Sequence, residues 1–171
     1  MTEDKISMSE EETAAGAAVA AGTDAAEKQA SEAEKIAAEK GLHILYEDNH
    51  IIVALKPQML GCCPDESKDD NLFDKIKEYI KEAYKKSGNV YLGLVHRLDR
   101  PTGGVMVYAK TSKAAARLSE GMQKGDFEKK YLAVLVGEVE GERGTLTNYL
   151  RKNTVNNMVY ICTPSEEGAK Y

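Results

Sequence analysis

The sequence predicts an α+β fold, a mostly antiparallel mixed β-sheet with helices on its flanks, and three observations carry that prediction. Short runs rich in Val, Ile and Tyr, too brief for helices, recur between turn-forming residues. Two of them, 44–46 and 51–55, are separated only by Glu47-Asp48-Asn49, which reads as a hairpin. Two longer stretches, 71–86 and 111–123, repeat apolar residues at helical spacing.

Along the chain, residues 1–40 come first and differ in kind. They hold twelve alanines with Glu, Lys, Ser and Gly and almost nothing large and apolar, which predicts a disordered or frayed-helical tail. Ala14 to Ala21 follow Glu10-Glu11-Glu12 rather than a basic region, so this is no signal peptide. The folded domain is expected over 41–171. Its first hairpin stops at Lys56-Pro57, and 58–70 is a loop with Gly61, Pro64 and several acids. In the first helix Leu72, Ile76, Tyr79, Ile80 and Ala83 share a face, Asp70 or Asn71 caps the start and Gly88 ends it. Its lysines, Lys75, Lys77, Lys81, Lys85 and Lys86, are a solvated face or a phosphate-touching one.

Strands are predicted at 92–95 and 105–109. Thr111 or Ser112 then caps a helix that packs through Ala115, Leu118 and Met122, with Gly125 past its end. Residues 127–136 read as the next strand, and 146–150 and 158–162 as two more. Arg151, Lys152, Asn153, Asn156 and Asn157 form a polar connection between the last pair, and 164–168 turns toward a further strand.

The formal charge of −5 divides unevenly. Residues 1–40 carry four Lys against ten acids, net −6, leaving 19 basic and 18 acidic residues, net +1, for 41–171. A nucleic-acid partner is therefore compatible only through a local patch. Cys62, Cys63 and Cys162 lack metal-type spacing and read as free thiols of a reducing, cytoplasmic compartment. His43, His50 and His96 are scattered, so no metal site is expected. No apolar run approaches the roughly 20 residues of a membrane crossing. Nothing in the sequence sets an oligomeric state.

Chemistry is expected between the strands at 92–95 and 105–109. There Asp99 follows Leu98, whose side chain can anchor the loop in the core, and stands between Arg97 and Arg100. Guanidinium groups favour an ionised carboxylate, ready as nucleophile or base, and they also hold phosphates. A loop salt bridge is the alternative on these residues alone.

The stretch His96-Arg97-Leu98-Asp99-Arg100-Pro101-Thr102-Gly103-Gly104 closely resembles the catalytic signature of the RluA-like family of RNA pseudouridine synthases: His-Arg-Leu-Asp, two variable residues, then Thr-Ser-Gly or a near variant. Gly103 stands where Ser is more common, which removes a hydroxyl. Upstream, Lys56-Pro57 fits the family pattern, with Leu55 where Asn is frequent. Downstream, Lys130-Tyr131-Leu132-Ala133 resembles the motif whose tyrosine packs against the target base. The family's Gly-Arg-x-His-Gln-Ile-Arg motif, whose first arginine pairs with the aspartate, has no counterpart. The resemblance thus implies the N-terminal part of a pseudouridine synthase-like catalytic domain, truncated at its C-terminus: a fragment or a truncated product.

That resemblance implies site-specific isomerisation of uridine to pseudouridine in structured RNA, rRNA or tRNA, without cofactor or metal. Asp99 is then the catalytic carboxylate, as nucleophile or as base, and Tyr131, the second catalytic residue, stacks on the base and helps move the C5 proton. Arg97 fills the gap left by a flipped base or holds the backbone, and Arg100 and Lys56 are weaker candidates for RNA phosphate contact. Two alternatives stand beside it. One is a catalytically inactive, truncated RNA-binding remnant. The other, a glycosidase, needs a second positioned acid that the Asp99 loop does not offer.

Overall fold

The computed structural model describes residues 27–139, 141–156 and 158–170; residues 1–26 of the predicted tail and Asn157 of the predicted connection lie outside them. The chain divides into two compact units, Met1–Glu128 and Lys129–Tyr171.

The described residues of the first unit open on a helix, α1, over 27–39. Where composition predicts a tail that is disordered or frayed, α1 packs: Ile36 and Ala37 are buried with Leu42 in the main core, and Ala33 lies against it. One isoleucine among small alanines is enough, because the alanines let the helix approach closely. Lys40 at its end reaches Glu82 of the next helix at 2.9 Å.

The hairpin follows as predicted. Strands β1 (His43–Glu47) and β2 (Ile51–Lys56) pair antiparallel. Asp48 sets the turn, its carboxylate accepting the N–H groups of His50 and Ile51, each at 2.7 Å. Strands β3 (Gly93–Leu94) and β4 (Gly104–Ala109) complete a sheet of order β1-β2-β4-β3, antiparallel at every pairing. The parallel element among the described residues is a single bridge between Gly61 and Asn71.

Helix α2 (Leu72–Ala83) buries all five residues of its predicted face, Leu72, Ile76, Tyr79, Ile80 and Ala83. They share one core with Ile52 and Ala54 of β2 and Met106 and Tyr108 of β4, even-numbered positions that point to one side of the sheet. Each large apolar side chain buried there contributes about 1.5–3 kcal/mol. Asn71 caps the helix, accepting from the Asp74 N–H at 2.9 Å while its amide donates to the Asp74 carboxylate at 2.8 Å. The end differs from the prediction. Lys85, at φ 48°, takes the left-handed position expected of Gly88, and the Lys86 N–H folds back to the Lys81 carbonyl at 2.8 Å.

Helix α3 (Ser112–Lys124) starts at Thr111 and closes at Gly125, as the sequence predicts. It packs on β3 and β4. Ala114 is its fully buried residue, with Ala115, Leu118 and Met122 half-buried. Gly93 makes the packing possible: a Cβ there would lie 3.0 Å from the Ala115 Cβ and 3.3 Å from that of Ala109.

A polar cluster holds β1, α2 and β4 together at one end of β2. Glu47 accepts from Tyr79 Oη at 2.7 Å, Tyr84 Oη at 2.9 Å and Lys110 Nζ at 2.6 Å. The Lys110 ammonium also lies 4.7 Å from the centre of the Tyr84 ring. Burial pushes the Tyr84 hydroxyl up to about 12, and the bond to Glu47 adds to the shift. The Tyr79 hydroxyl is raised for the same two reasons.

The second unit, taken by itself, holds the hairpin β5 (Tyr149–Lys152) and β6 (Val159–Cys162), with Lys170 returning to bridge Leu150. This fulfils the predicted pair and the turn after it, with β5 starting later than residue 146. The strand predicted at 127–136 is not formed. Phe127 folds against Gly121 at the end of α3, and Leu132, Val134 and Val136 are fully exposed. A strand requires a ladder, and no described residue supplies one to this stretch.

Replacing Glu47 with alanine strips a nearly buried lysine of its carboxylate and orphans two tyrosine hydroxyls. The expected loss is about 3 kcal/mol in urea unfolding of the chain, with Tyr79→Phe costing less than half as much. Equal losses for the two variants would show that the tyrosine, not the charge, holds the cluster.

Candidate active site

The loop over 95–103 leaves the sheet between edge strand β3 and inner strand β4. The β3–β4 ladder ends at Leu94 and Tyr108, and next to it the Val107 N–H is taken by His96 Nε2 at 3.0 Å. The imidazole thus caps the end of the ladder, where the chain turns outward. Leu98 packs against the core, as its apolar side chain between charged neighbours predicts, and Arg97 and Asp99 on either side are exposed. The Asp99 carbonyl accepts the Thr102 N–H at 3.0 Å and closes a turn that presents the carboxylate.

The next residue is the fixed point. The Arg100 carbonyl accepts the Met59 N–H at 2.7 Å and the Lys56 ammonium at 3.1 Å. Lys56 has no exposed surface, and its ammonium also donates to the Leu60 carbonyl at 2.7 Å and the Pro57 carbonyl at 3.2 Å. Burial pulls its pKa below the ordinary lysine value, against the opposing influence of Cys62 and Asp99. Lys56, a sequence candidate for phosphate contact, thus has every proton committed inside the protein. Gly103 lies over the same strut: a Cβ there would meet Gln58 Cγ at 3.2 Å and the Lys56 carbonyl at 3.3 Å, a close approach that a serine must displace.

The Arg100 guanidinium points the other way, to Asp69 at 2.6 Å, Ser67 Oγ at 3.1 Å and Asp65 at 3.4 Å. The pairs are partly exposed, and solvent screening keeps them weak. Arg97 has different company. The Cys62 thiol first, then Cys63 and Asp99, hold it above the ordinary arginine value. The two sulfurs are 3.8 Å apart and both thiols are free. Tyr108, fully buried, donates to the Cys62 carbonyl at 2.9 Å and ties that loop to the middle of the sheet.

The structure therefore brings Lys56, Arg97, Asp99 and Arg100 to one end of the four-stranded sheet. Tyr131 belongs to the second unit, where it is 70% exposed and outside any strand. Sequence reasoning missed Asp65, Ser67, Asp69 and the capping role of His96. The opposite charge of an acidic loop and Arg100 was a signal, but their proximity is a tertiary fact.

Residues 50–171 match the model of the family described as RNA pseudouridylate synthase. The chain belongs to this family. Its resemblance is to the RluA-like members: it is 33% identical over 125 residues to ribosomal large subunit pseudouridine synthase C of Salmonella typhi, covering 73% of this chain and 37% of that one. It is 36% identical over 96 residues to ribosomal large subunit pseudouridine synthase D of Xanthomonas campestris, covering 56% of this chain and 28% of the relative. An RNA pseudouridine synthase of Bacillus subtilis is 33% identical over 122 residues, covering 70% and 39%. The chain spans under two fifths of the length of these curated relatives. Among solved structures, human RNA pseudouridylate synthase domain containing 4 superposes with a TM-score of 0.61 at 20% identity, over 84% of this chain and 54% of that one. That likeness shows the α+β fold. Among the described residues, no helix is long and apolar enough to cross a membrane.

Lys56→Met keeps the length of the side chain and deletes its donors. It should destabilise the chain by at least about 2 kcal/mol in denaturant unfolding and raise amide exchange across 95–103. Unchanged exchange there would remove Lys56 from the support of the loop.

The Arg100 latch has a pH signature. Asp65 is held below the ordinary aspartate value of 3.8 by Ser67 first and Arg100 after it, and Asp69 by Arg100 first. Between the lowered and ordinary values the unfolded chain binds more protons than the folded one. The contribution of the latch is therefore complete above 3.8 and lost as pH falls through the lowered values. Carboxyl NMR titration of Asp69 should give a midpoint below 3.8 that rises toward it in Arg100→Ala.

Proposed function

We propose that the protein isomerises uridine to pseudouridine in structured RNA, ribosomal or transfer RNA, in the cytoplasm. The observation that supports this most is the Asp99 loop itself: an exposed carboxylate directly after a core-anchored leucine and directly before a carbonyl held by two donors. Reactions between positioned groups gain most when the reacting atom is held still, and this loop is built for that.

In the reaction the bond from ribose C1′ to uracil N1 breaks, the base turns, and C1′ bonds to C5. The C5 proton is lost and N1 gains one, so product and substrate have the same atoms and no electrons are exchanged. Asp99 starts cleavage, as a nucleophile on the sugar or as a base; both roles suit an exposed carboxylate. Arg97, exposed and charged beside it, fills the space of a flipped uridine or holds the backbone. Tyr131 stacks on the base by virtue of its motif, offering a face and a phenol. Arg100 is the weaker phosphate contact, while Lys56 is an internal strut rather than a contact to RNA.

Asp99→Asn changes one atom of an exposed side chain. Pseudouridine formed in ribosomal RNA, read by carbodiimide-dependent primer extension, should fall at least about 10²-fold with the melting temperature unchanged. Wild-type yield from the variant would end the assignment.

A further inference from the structure

Residues 61–71 form a strap with both ends fixed. Gly61 bridges Asn71, and the Leu72 N–H donates to the Gly61 carbonyl at 2.8 Å, so the chain leaves and returns at one point. Its tip carries Asp65, Glu66, Asp69 and Asp70, four acids beside the loop at which RNA is expected. Ser67 aims two of them: its hydroxyl donates to Asp65 and accepts the Asp69 N–H at 3.2 Å. The two carboxylates and that hydroxyl converge on the Arg100 guanidinium. This is the fork of acceptor oxygens that a phosphate presents to arginine. The pairs are partly exposed and hence weak, which suits a contact that is meant to be exchanged.

We propose that the strap is an internal mimic of the RNA backbone, and that Asp65 and Asp69 occupy Arg100 until an RNA phosphate displaces them. The idea rests on the RNA-modifying reading above and adds a regulator to it: the acidic strap sets the affinity that Arg100 contributes. Its occupant is a phosphodiester, since the guanidinium meets charge and planar oxygens and no base edge. The exchange also leaves Asp99 undisturbed, because its neighbouring carbonyl is fixed from below by Lys56 and Met59, independently of the guanidinium.

The test measures binding of the full chain to an in vitro transcribed RNA hairpin with a uridine-containing loop, across a series of salt concentrations. Asp65→Asn with Asp69→Asn should tighten binding about three- to tenfold near 0.1 M salt and steepen the salt slope by about 0.7–0.9, the value of one more phosphate contact. In an Arg100→Ala background the same pair of substitutions should change affinity less than about twofold. The control, Glu66→Gln with Asp70→Asn, removes equal charge from the strap without touching Arg100. If the control tightens binding as much as the Asp65 and Asp69 pair, or if that pair weakens binding, the proposal is overturned. In the weakening case the acids position Arg100 instead of masking it. Pseudouridine is scored in the same samples, so an RNA bound but unmodified by the wild-type chain counts against the isomerase reading and leaves the masking result to stand on affinity alone.

Discussion

The ammonium of Lys56 is the constraint on which the site depends. Taking a charged amine fully out of water is costly, and the cost is offset only because three carbonyls, from Pro57, Leu60 and Arg100, surround it. Two of those carbonyls belong to the loop that follows β2 and one to the loop that precedes β4. A single side chain at the end of β2 therefore joins the two segments between which the Asp99 turn must stand. The register places Lys56 opposite Gly104, so the strut rises from the point where the sheet stops.

The other end of β2 is held by similar means. Ile51 pairs with Ala109 there, and the adjacent Lys110 enters the cluster of Glu47, Tyr79 and Tyr84. Both ends of the β2–β4 ladder thus finish on a lysine withdrawn from solvent, one satisfied by a carboxylate and one by main-chain carbonyls. The difference matters. A carboxylate partner offsets the charge of Lys110, whereas only carbonyl dipoles surround Lys56, whose pKa burial lowers.

What was legible in the sequence follows from the range of the interactions concerned. The face of α2, the caps at Asn71 and Thr111, the hairpin and the exposed aspartate after an anchoring leucine are local, set within a few residues by spacing and turn chemistry. Lys56 was a candidate for phosphate contact in the sequence, because its acceptor at Arg100 lies 44 positions away. Asp69 and Asp65 stand 31 and 35 positions from the guanidinium they bind, and no periodicity reports that. The stretch 127–136 has the composition of a strand, yet composition grants only the propensity; the ladder must come from elsewhere in the fold. Helix α1 departs in the opposite sense: Ile36 and Ala37, in an alanine-rich run, are buried in the main core.

Charge around Asp99 is settled by what each arginine already holds. Residues 41–171 carry a net of only +1, so attraction for a polyanion depends on which cations are unopposed. Arg100 faces two carboxylates, Asp65 and Asp69, from the loop at 61–70. Arg97 sits against Cys62 and Cys63, and burial raises the Cys63 thiol above its ordinary value. The two arginines of one short motif thus keep different company, and the distinction arises from the loop at 61–70 rather than from the motif.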